Sequence, residues 1–429
     1  MRRAFIVTAL AAVLAALWLA AEAADSTDIN KPVSSPGLAA GGQPASAAKK
    51  GIAAQYPGDE GIEQNPAVVF HEDFETGAIE DLGQRWTSIL DPNYNVLWYV
   101  PDSVPGSPGK RSLRMTGTKG RDTGGHLWKL LSTGYDQLYA RYYTKFAPDA
   151  PYVHHFVAMG GRADTTRHYP IGAAGTRPEG SDRFGSTVDL GSREVANPPG
   201  AWFFYTYWCE MRSWQTPEGV SDGRPDAFYG NPFGPVQIEQ APRDKWVCVE
   251  FMIKCNSAPD KRDGEQAFWI DGRLIGRYGP GTITGTWFRD TFHQSGYYNT
   301  NPQPFEGFRW RKTNDLKINI FWLQYYLAHV FENDYNPHNP DIPYNDNVAR
   351  VYFDDIVLAT EYIGPLATEP PGPGCDVNGD GNANVIDVVR LVQLCLKNPQ
   401  DPRADYNGDG SATIADAIAL LIDIIEGNC

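Results

Sequence analysis

Between residues 67 and 364 short apolar runs, rich in β-branched and aromatic residues, alternate with turn residues. Segments 67–70, 112–115, 138–146, 153–159, 202–211, 246–254, 267–270, 317–327 and 351–358 each read as a strand. Residues 101–109, Gly160-Gly161, Pro198-Pro199-Gly200, Asp271-Gly272 and Gly279-Pro280-Gly281 separate them as turns. No amphipathic helix breaks the series, so the pattern predicts two antiparallel sheets packed face to face, an all-β jelly-roll sandwich. Past residue 374 the period changes, and 385–396 and 414–425 read as apolar-faced helices.

The flanks follow from the same pattern. Residues 1–23 combine Arg2-Arg3, an apolar run over 4–20 and the small-residue site Ala21-Glu22-Ala23, and they predict a signal peptide. Residues 24–66, rich in Ala, Gly, Pro and Ser, read as a flexible spacer. Residues 365–374, with four prolines, read as a second, stiffer linker before a module at 375–429. The expected location is extracellular, secreted or attached to a cell-surface scaffold, with no membrane span. A net charge of −15 argues against nucleic acid as a partner. Aromatics at 12% suit rings that stack on sugar.

The module carries oxygen-bearing residues at the spacing of a twelve-residue calcium loop: Asp376, Asn378, Asp380, Asn382, Asn384 and Asp387, with Gly381 at the sharp turn. Twenty-nine residues later the series returns as Asp405, Asn407, Asp409, Ser411, Thr413 and Asp416, with Gly410 at the turn. Asn382 and Ser411 would contribute backbone carbonyls, and each loop feeds a helix. This duplicated loop–helix pattern without an entering helix, closing on Asp, resembles the dockerins, type I in particular. These are small EF-hand-like modules that plug secreted enzymes into cohesin-bearing scaffolds. The resemblance implies two calcium ions and a cohesin-type partner. It also implies recognition by Val385, Ile386, Ile414 and Ala415, which are apolar where the family commonly carries hydroxyls, so the partner type stays open. Cys375 and Cys429 bracket the module where dockerin-like folds bring their ends together, and a disulfide between them is expected, with Cys395 as competitor. No pairing is assigned to Cys209, Cys248 or Cys255.

Several strands resemble a group of secreted concanavalin A-like jelly rolls, the cellulase-co-secreted fungal proteins and their glucuronan-lyase-like relatives. The carrying segments are Phe70-His-Glu-Asp-Phe-Glu75-Thr-Gly77, Leu138-Tyr-Ala-Arg141-Tyr-Tyr-Thr-Lys145-Phe, Trp246-Val-Cys-Val-Glu250-Phe, Phe268-Trp-Ile-Asp-Gly-Arg-Leu-Ile275 and Val351-Tyr-Phe-Asp-Asp355-Ile-Val-Leu-Ala-Thr. The resemblance implies a third, structural calcium on Glu75 and Asp355, with backbone oxygens near Pro108 and Arg111. The group has a small polar residue and an amide at those last two positions.

Candidate chemistry comes from alternation. Period two puts Tyr139, Arg141, Tyr143 and Lys145 on one face of their strand, and Glu250 with Lys254 on one face of another. A sandwich core would not carry these charges, so the faces are expected to border a groove, extended by Trp322, Gln324 and Tyr326. His154-His155 opens the next strand; one of the two, His155, is placed in the groove. Residues 110–170 hold ten Lys or Arg against four Asp, which favours an acidic polysaccharide. Tyrosine, His and cations suit β-elimination on a uronate: a base takes the C5 proton while cations or amides neutralise the carboxylate. Arg141 or Lys145 would draw a tyrosine down from its usual pKa of about 10. A glycoside hydrolase needs paired carboxylates across the cleft, and the E-x-D-x-x-E strand of laminarinase-like jelly rolls is absent. A non-catalytic carbohydrate-binding module stays open beside the lyase.

Overall fold

The computed structural model describes residues 51–91, 95–167, 171–191, 196–294, 301–327, 342–367, 375–378, 383–400 and 404–426. The expected signal peptide and residues 24–50 of the spacer lie outside them. The strands are β1 (Val68–Glu72), β2 (Ser88–Leu90), β3 (Leu97–Val100), β4 (Ser112–Thr118), β5 (His126–Tyr135), β6 (Gln137–Phe146), β7 (Val157–Arg162), β8 (Arg183–Gly191) and β9 (Ala201–Tyr207). They continue as β10 (Asn231–Phe233), β11 (Val247–Lys254), β12 (Glu265–Ile270), β13 (Arg273–Tyr278), β14 (Thr284–Phe288), β15 (Thr291–Gln294), β16 (Gln303–Pro304), β17 (Ile318–Gln324) and β18 (Val348–Ala359).

Two large antiparallel sheets make a sandwich. One runs β13-β12-β11-β6-β18-β4-β3, with β1 also paired to β18; the other runs β10-β9-β8-β7-β17-β5-β2. Strands β14, β15 and β16 form a small third sheet. Alternation explains the core. In β6, Leu138, Ala140, Tyr142 and Phe146 point inward, and in β9 Trp202 and Phe204 do; both sets are buried in one apolar cluster between the sheets. The strands predicted at 138–146, 246–254 and 351–358 form the middle of the first sheet. β5 and β8 escaped the sequence reading, because Lys129 and Ser132 in one and Gly185, Ser186 and Asp189 in the other interrupt their apolar pattern.

The amino-terminal boundary differs from the expected one. Residues 51–66 are packed, not spacer: three short 3₁₀ turns, Ile52–Gln55, Pro57–Asp59 and Ile62–Gln64, lie over the outer face of the first sheet. Ile52, Ala53 and Ile62 are buried against Val357, Ala359 and Ile363. The Ile52 amide donates to the Tyr362 carbonyl (3.0 Å) and the Ala53 amide to Ile363 (2.8 Å). The two ends of the sandwich chain thus join into one roof. It was unreadable because short 3₁₀ turns carry no long apolar period.

At the carboxyl end, α1 (Val385–Lys397) and α2 (Ile414–Glu426) share a small core of Val388, Leu391, Leu394, Tyr406, Ala417 and Leu420. Asn384 caps α1, its side chain accepting from the Ile386 amide at 2.9 Å while Asp387 accepts from the Asn384 amide at 2.9 Å. Cys375 is disulfide-bonded; Cys429, its expected partner, lies outside the described residues. Cys209, Cys248, Cys255 and Cys395 are free thiols. No described helix is long and apolar enough to cross a membrane.

Candidate active site

The expected constellation divides between the two sheets. Tyr139, Arg141, Tyr143 and Lys145 do share the outer face of β6, but the roof covers most of it. Arg141 is fully buried. It forms an ion pair with Asp59 and donates to the carbonyls of Asp355 (3.1 Å) and Gly364 (3.4 Å). Glu250 is buried beside it, its two oxygens accepting from the Ile363 and Gly364 amides at 2.8 Å each. Burial pushes Glu250 up to about 7, against the pull of those amides and Arg141. The Tyr143 hydroxyl accepts from the Leu366 amide at 2.7 Å. Burial raises Tyr143 well above the usual phenol value, and raises Tyr139 too, so Arg141 does not produce a phenolate there. Lys145 pairs with Asp102. Arg141, Tyr143 and Glu250 hold the roof down; the groove is elsewhere.

It lies on the outer face of the other sheet and encloses about 450 Å³. Its floor follows from one cross-strand row. Tyr205 stands opposite Thr187, Thr187 opposite Ala158, Ala158 opposite Trp322, and Trp322 opposite Trp128. Small side chains in the middle, with the Tyr205 ring at one end and the Trp322 ring at the other, make a trough, and Trp128 is buried behind Trp322. Ile171, packed over Gly160 and Gly185, closes one end.

His155 borders this trough. Its Nδ1 lies 2.8 Å from Asp189 Oδ2, and Asp189 Oδ1 accepts the Phe156 amide at 2.6 Å. Asp189 is buried while the His155 side chain is 29% exposed, so the carboxylate holds the ring from behind and leaves Nε2 for the groove. The His155 ring stacks parallel to Tyr326 at 6.1 Å and lies 5.3 Å from Tyr205. Burial raises both Tyr205 and Tyr207, Tyr205 the further because of the Tyr207 hydroxyl beside it. Both are neutral phenols at ordinary pH, able to give a proton.

Gln324, opposite His126 across β17 and β5, lines the same groove with Trp322 and Tyr326. Gln324 and His155 are therefore together, whereas Tyr139, Arg141, Tyr143, Lys145 and Glu250 are on the other sheet. Both His154 and His155 line the trough, their rings 4.2 Å apart, because they sit before β7 begins and strict alternation does not apply. Asp189, Tyr205 and Tyr207 were missed. The Phe203, Tyr205, Tyr207 alternation in β9 was the signal for the two tyrosines; it says nothing of Asp189, which lies in β8.

The predicted calcium positions divide as well. Glu75 Oε1 accepts from the Lys110 and Arg111 amides at 2.8 Å each, and Ser107 Oγ reaches Asp355 Oδ1 at 3.3 Å. Both carboxylates thus meet the 107–111 turn. A Cβ on Gly109 would fill the space 3.0 Å from Glu75 Oε1. Asp355 Oδ2 is buried without a hydrogen-bond partner among the described residues. A bulge in β18 between Asp354 and Val357 sets Asp354 and Asp355 side by side, and burial raises both carboxyls. Carboxylate oxygens of this kind are donors a hard cation takes. No group of three or more His, Cys, Asp or Glu side chains poised to hold a metal occurs among the described residues, so backbone oxygens would supply the rest of such a shell.

In the second loop, Asp405 accepts from the Asp409 and Gly410 amides (3.0 and 2.9 Å), and Asp416 accepts from Asn407 and Thr413 (3.0 and 2.7 Å). Gly410 makes the turn at φ +84°. In the first loop Asp387 accepts from the Asn378 amide at 3.0 Å, as Asp416 does from Asn407. Asp380 and Asn382 lie outside the described residues.

No family model and no curated relative matches the chain. Among solved structures it is similar to an alginate lyase from Chlorella virus (11% identity, TM-score 0.42, 68% of this chain and 99% of that one). It is similar also to an alginate lyase from Aplysia kurodai (14%, 0.40, 68% and 98%). A third is the endo-β-1,4-glucuronan lyase from Trichoderma reesei (14%, 0.35, 68% and 95%). The overlap at these scores is loose, and the chemistry of the groove has to stand on its own side chains.

Proposed function

We propose that the sandwich is a secreted polysaccharide lyase that cleaves a uronate-containing glycan by β-elimination in the groove of His155. The observation that carries this is the His155–Asp189 pair set beside neutral tyrosines in one trough. His155 Nε2 takes the C5 proton, with Asp189 stabilising the imidazolium that forms. The Gln324 amide faces the substrate carboxylate, where negative charge builds as the carbanion develops. The C4–oxygen bond then breaks, a C4–C5 double bond forms, and Tyr205 or Tyr207 gives its proton to the departing sugar oxygen. Hydrolysis would need two carboxylates across the cleft, and among the described residues lining the groove there is no Asp or Glu.

The 375–429 module is a calcium-loaded dockerin in this reading, supported by the matching carboxylate–amide bonds of its two loops, and it ties the enzyme to a cohesin-type scaffold. Calcium at Glu75 and Asp355 would neutralise the buried carboxylates and pin β18 to the 107–111 turn. The deciding experiment is a panel of glucuronan, alginate, pectate and xylan, read by ultraviolet absorbance of unsaturated chain ends. New reducing ends without unsaturation would replace the lyase by a hydrolase; binding with no new ends would leave a carbohydrate-binding module.

A further inference from the structure

The roof leaves one end of the first sheet's outer face uncovered. Across it Trp98 stands opposite Arg114, Arg114 opposite Tyr352, and Tyr352 opposite Lys145. Trp246, just before β11, extends the row with its ring 5.3 Å from Lys145 Nζ. Ring and cation alternate over four strands and the residue leading into a fifth, about 19 Å at the usual strand spacing. The Arg114 guanidinium sits 5.7 Å from the Trp98 ring.

The members are not equivalent. Lys145 is neutralised by Asp102, and Trp246 Nε1 is tied to the same carboxylate at 3.3 Å. Arg114 has no such partner: its Nε is buried without a hydrogen bond among the described residues, and Arg350, two positions along β18 from Tyr352, adds a second positive charge nearby. Trp98 leaves 44% of its surface in solvent. A half-buried arginine short of an anion, flanked by an indole and a phenol on the outer face of the sheet, offers stacking surface to sugar rings and a charge to their carboxylates.

We propose that Trp98, Arg114 and Tyr352 form a second glycan-binding surface, on the face of the sandwich away from the groove, that holds an anionic polysaccharide strand. The rings stack on sugar faces while Arg114 pairs with a carboxylate. This surface is separate from the groove and needs no turnover there.

The test is affinity electrophoresis of the full chain through gels containing glucuronan, polygalacturonate or a neutral glucan. Every variant carries His155→Ala, so that any contribution of the groove is the same in each lane. Retardation by the uronate polymers is expected, with Trp98→Ala and Arg114→Ala each roughly tenfold weaker and Arg114→Lys between them and the parent. Should Arg114→Ala fail to fold, Arg114→Gln and the exposed Trp98→Ala carry the comparison. Unchanged retardation in both variants, no retardation of the parent, or equal retardation by the neutral glucan would each overturn the proposal. Because no product is measured, failure here is distinguishable from failure of the lyase reading.

Discussion

Asp189 holds His155 and the backbone behind it at once: Oδ2 lies 2.8 Å from Nδ1, and Oδ1 takes the Phe156 amide at 2.6 Å. Asn in its place keeps the shape but only one acceptor: with Oδ1 on the Phe156 amide, its NH2 donates to His155 Nδ1, which leaves the ring proton on Nε2 and removes the charge that stabilises an imidazolium. Asp189→Asn is expected to lower kcat on the responsive uronate polymer by about 10²-fold or more, with KM little changed. Steady-state rates of unsaturated-end formation check this. Equal loss in KM would point to substrate binding instead.

Arg141 and Asp59 are both buried, so removing one strands the other. Arg141→Ala is expected to cost about 3–5 kcal/mol of stability in urea unfolding, while the protein that stays folded keeps its turnover. Loss of turnover in fully folded protein would return the chemistry to β6.

Glu250 is pushed up to about 7 from an ordinary 4.5. The folded state therefore holds this proton more tightly than the unfolded chain does. The resulting stability is complete below about pH 4.5 and is lost as pH rises through about 7. Glu250→Gln removes that slope. The stability difference between variant and parent should change by roughly 3 kcal/mol between pH 4.5 and 8, measured by denaturant unfolding at each pH. A difference that stays flat would mean Glu250 is not held in its neutral form.

Calcium titration of the full chain by calorimetry is expected to show two ions lost when Asp376 and Asp405 are both changed to Ala, and one when Asp355 is changed to Asn. Chelation should lower the sandwich melting temperature in the parent but not in Asp355→Asn. A parent that ignores chelator would remove the Glu75–Asp355 ion.

What could be read in the residues was which side chains share a face; what could not was what lies over that face. Period two correctly grouped Tyr139, Arg141, Tyr143 and Lys145. Yet the roof that buries Arg141 comes from Asp59 and Gly364, at the two ends of the domain and without apolar periodicity. The two helices and most strands of the first sheet were legible because local spacing determines them; the Asn384 cap and β3, four residues long, were not. The groove was half legible. His155 and Gln324 stood out as polar residues within apolar strands, but Asp189 meets His155 from 34 residues away, a distance that only the sheet order closes.

The place of β18 has a consequence for how the chain is made. The last strand of the sandwich in sequence, it lies between β6 and β4 and also carries β1. Until residue 359 has left the ribosome, the first sheet is two fragments with bare edges on either side of a missing plank. A nascent chain stopped short of Val348 exposes those edges to any neighbouring strand. Deletions from the carboxyl end that reach β18 should therefore give insoluble protein, while removal of the module beyond Ala367 should not.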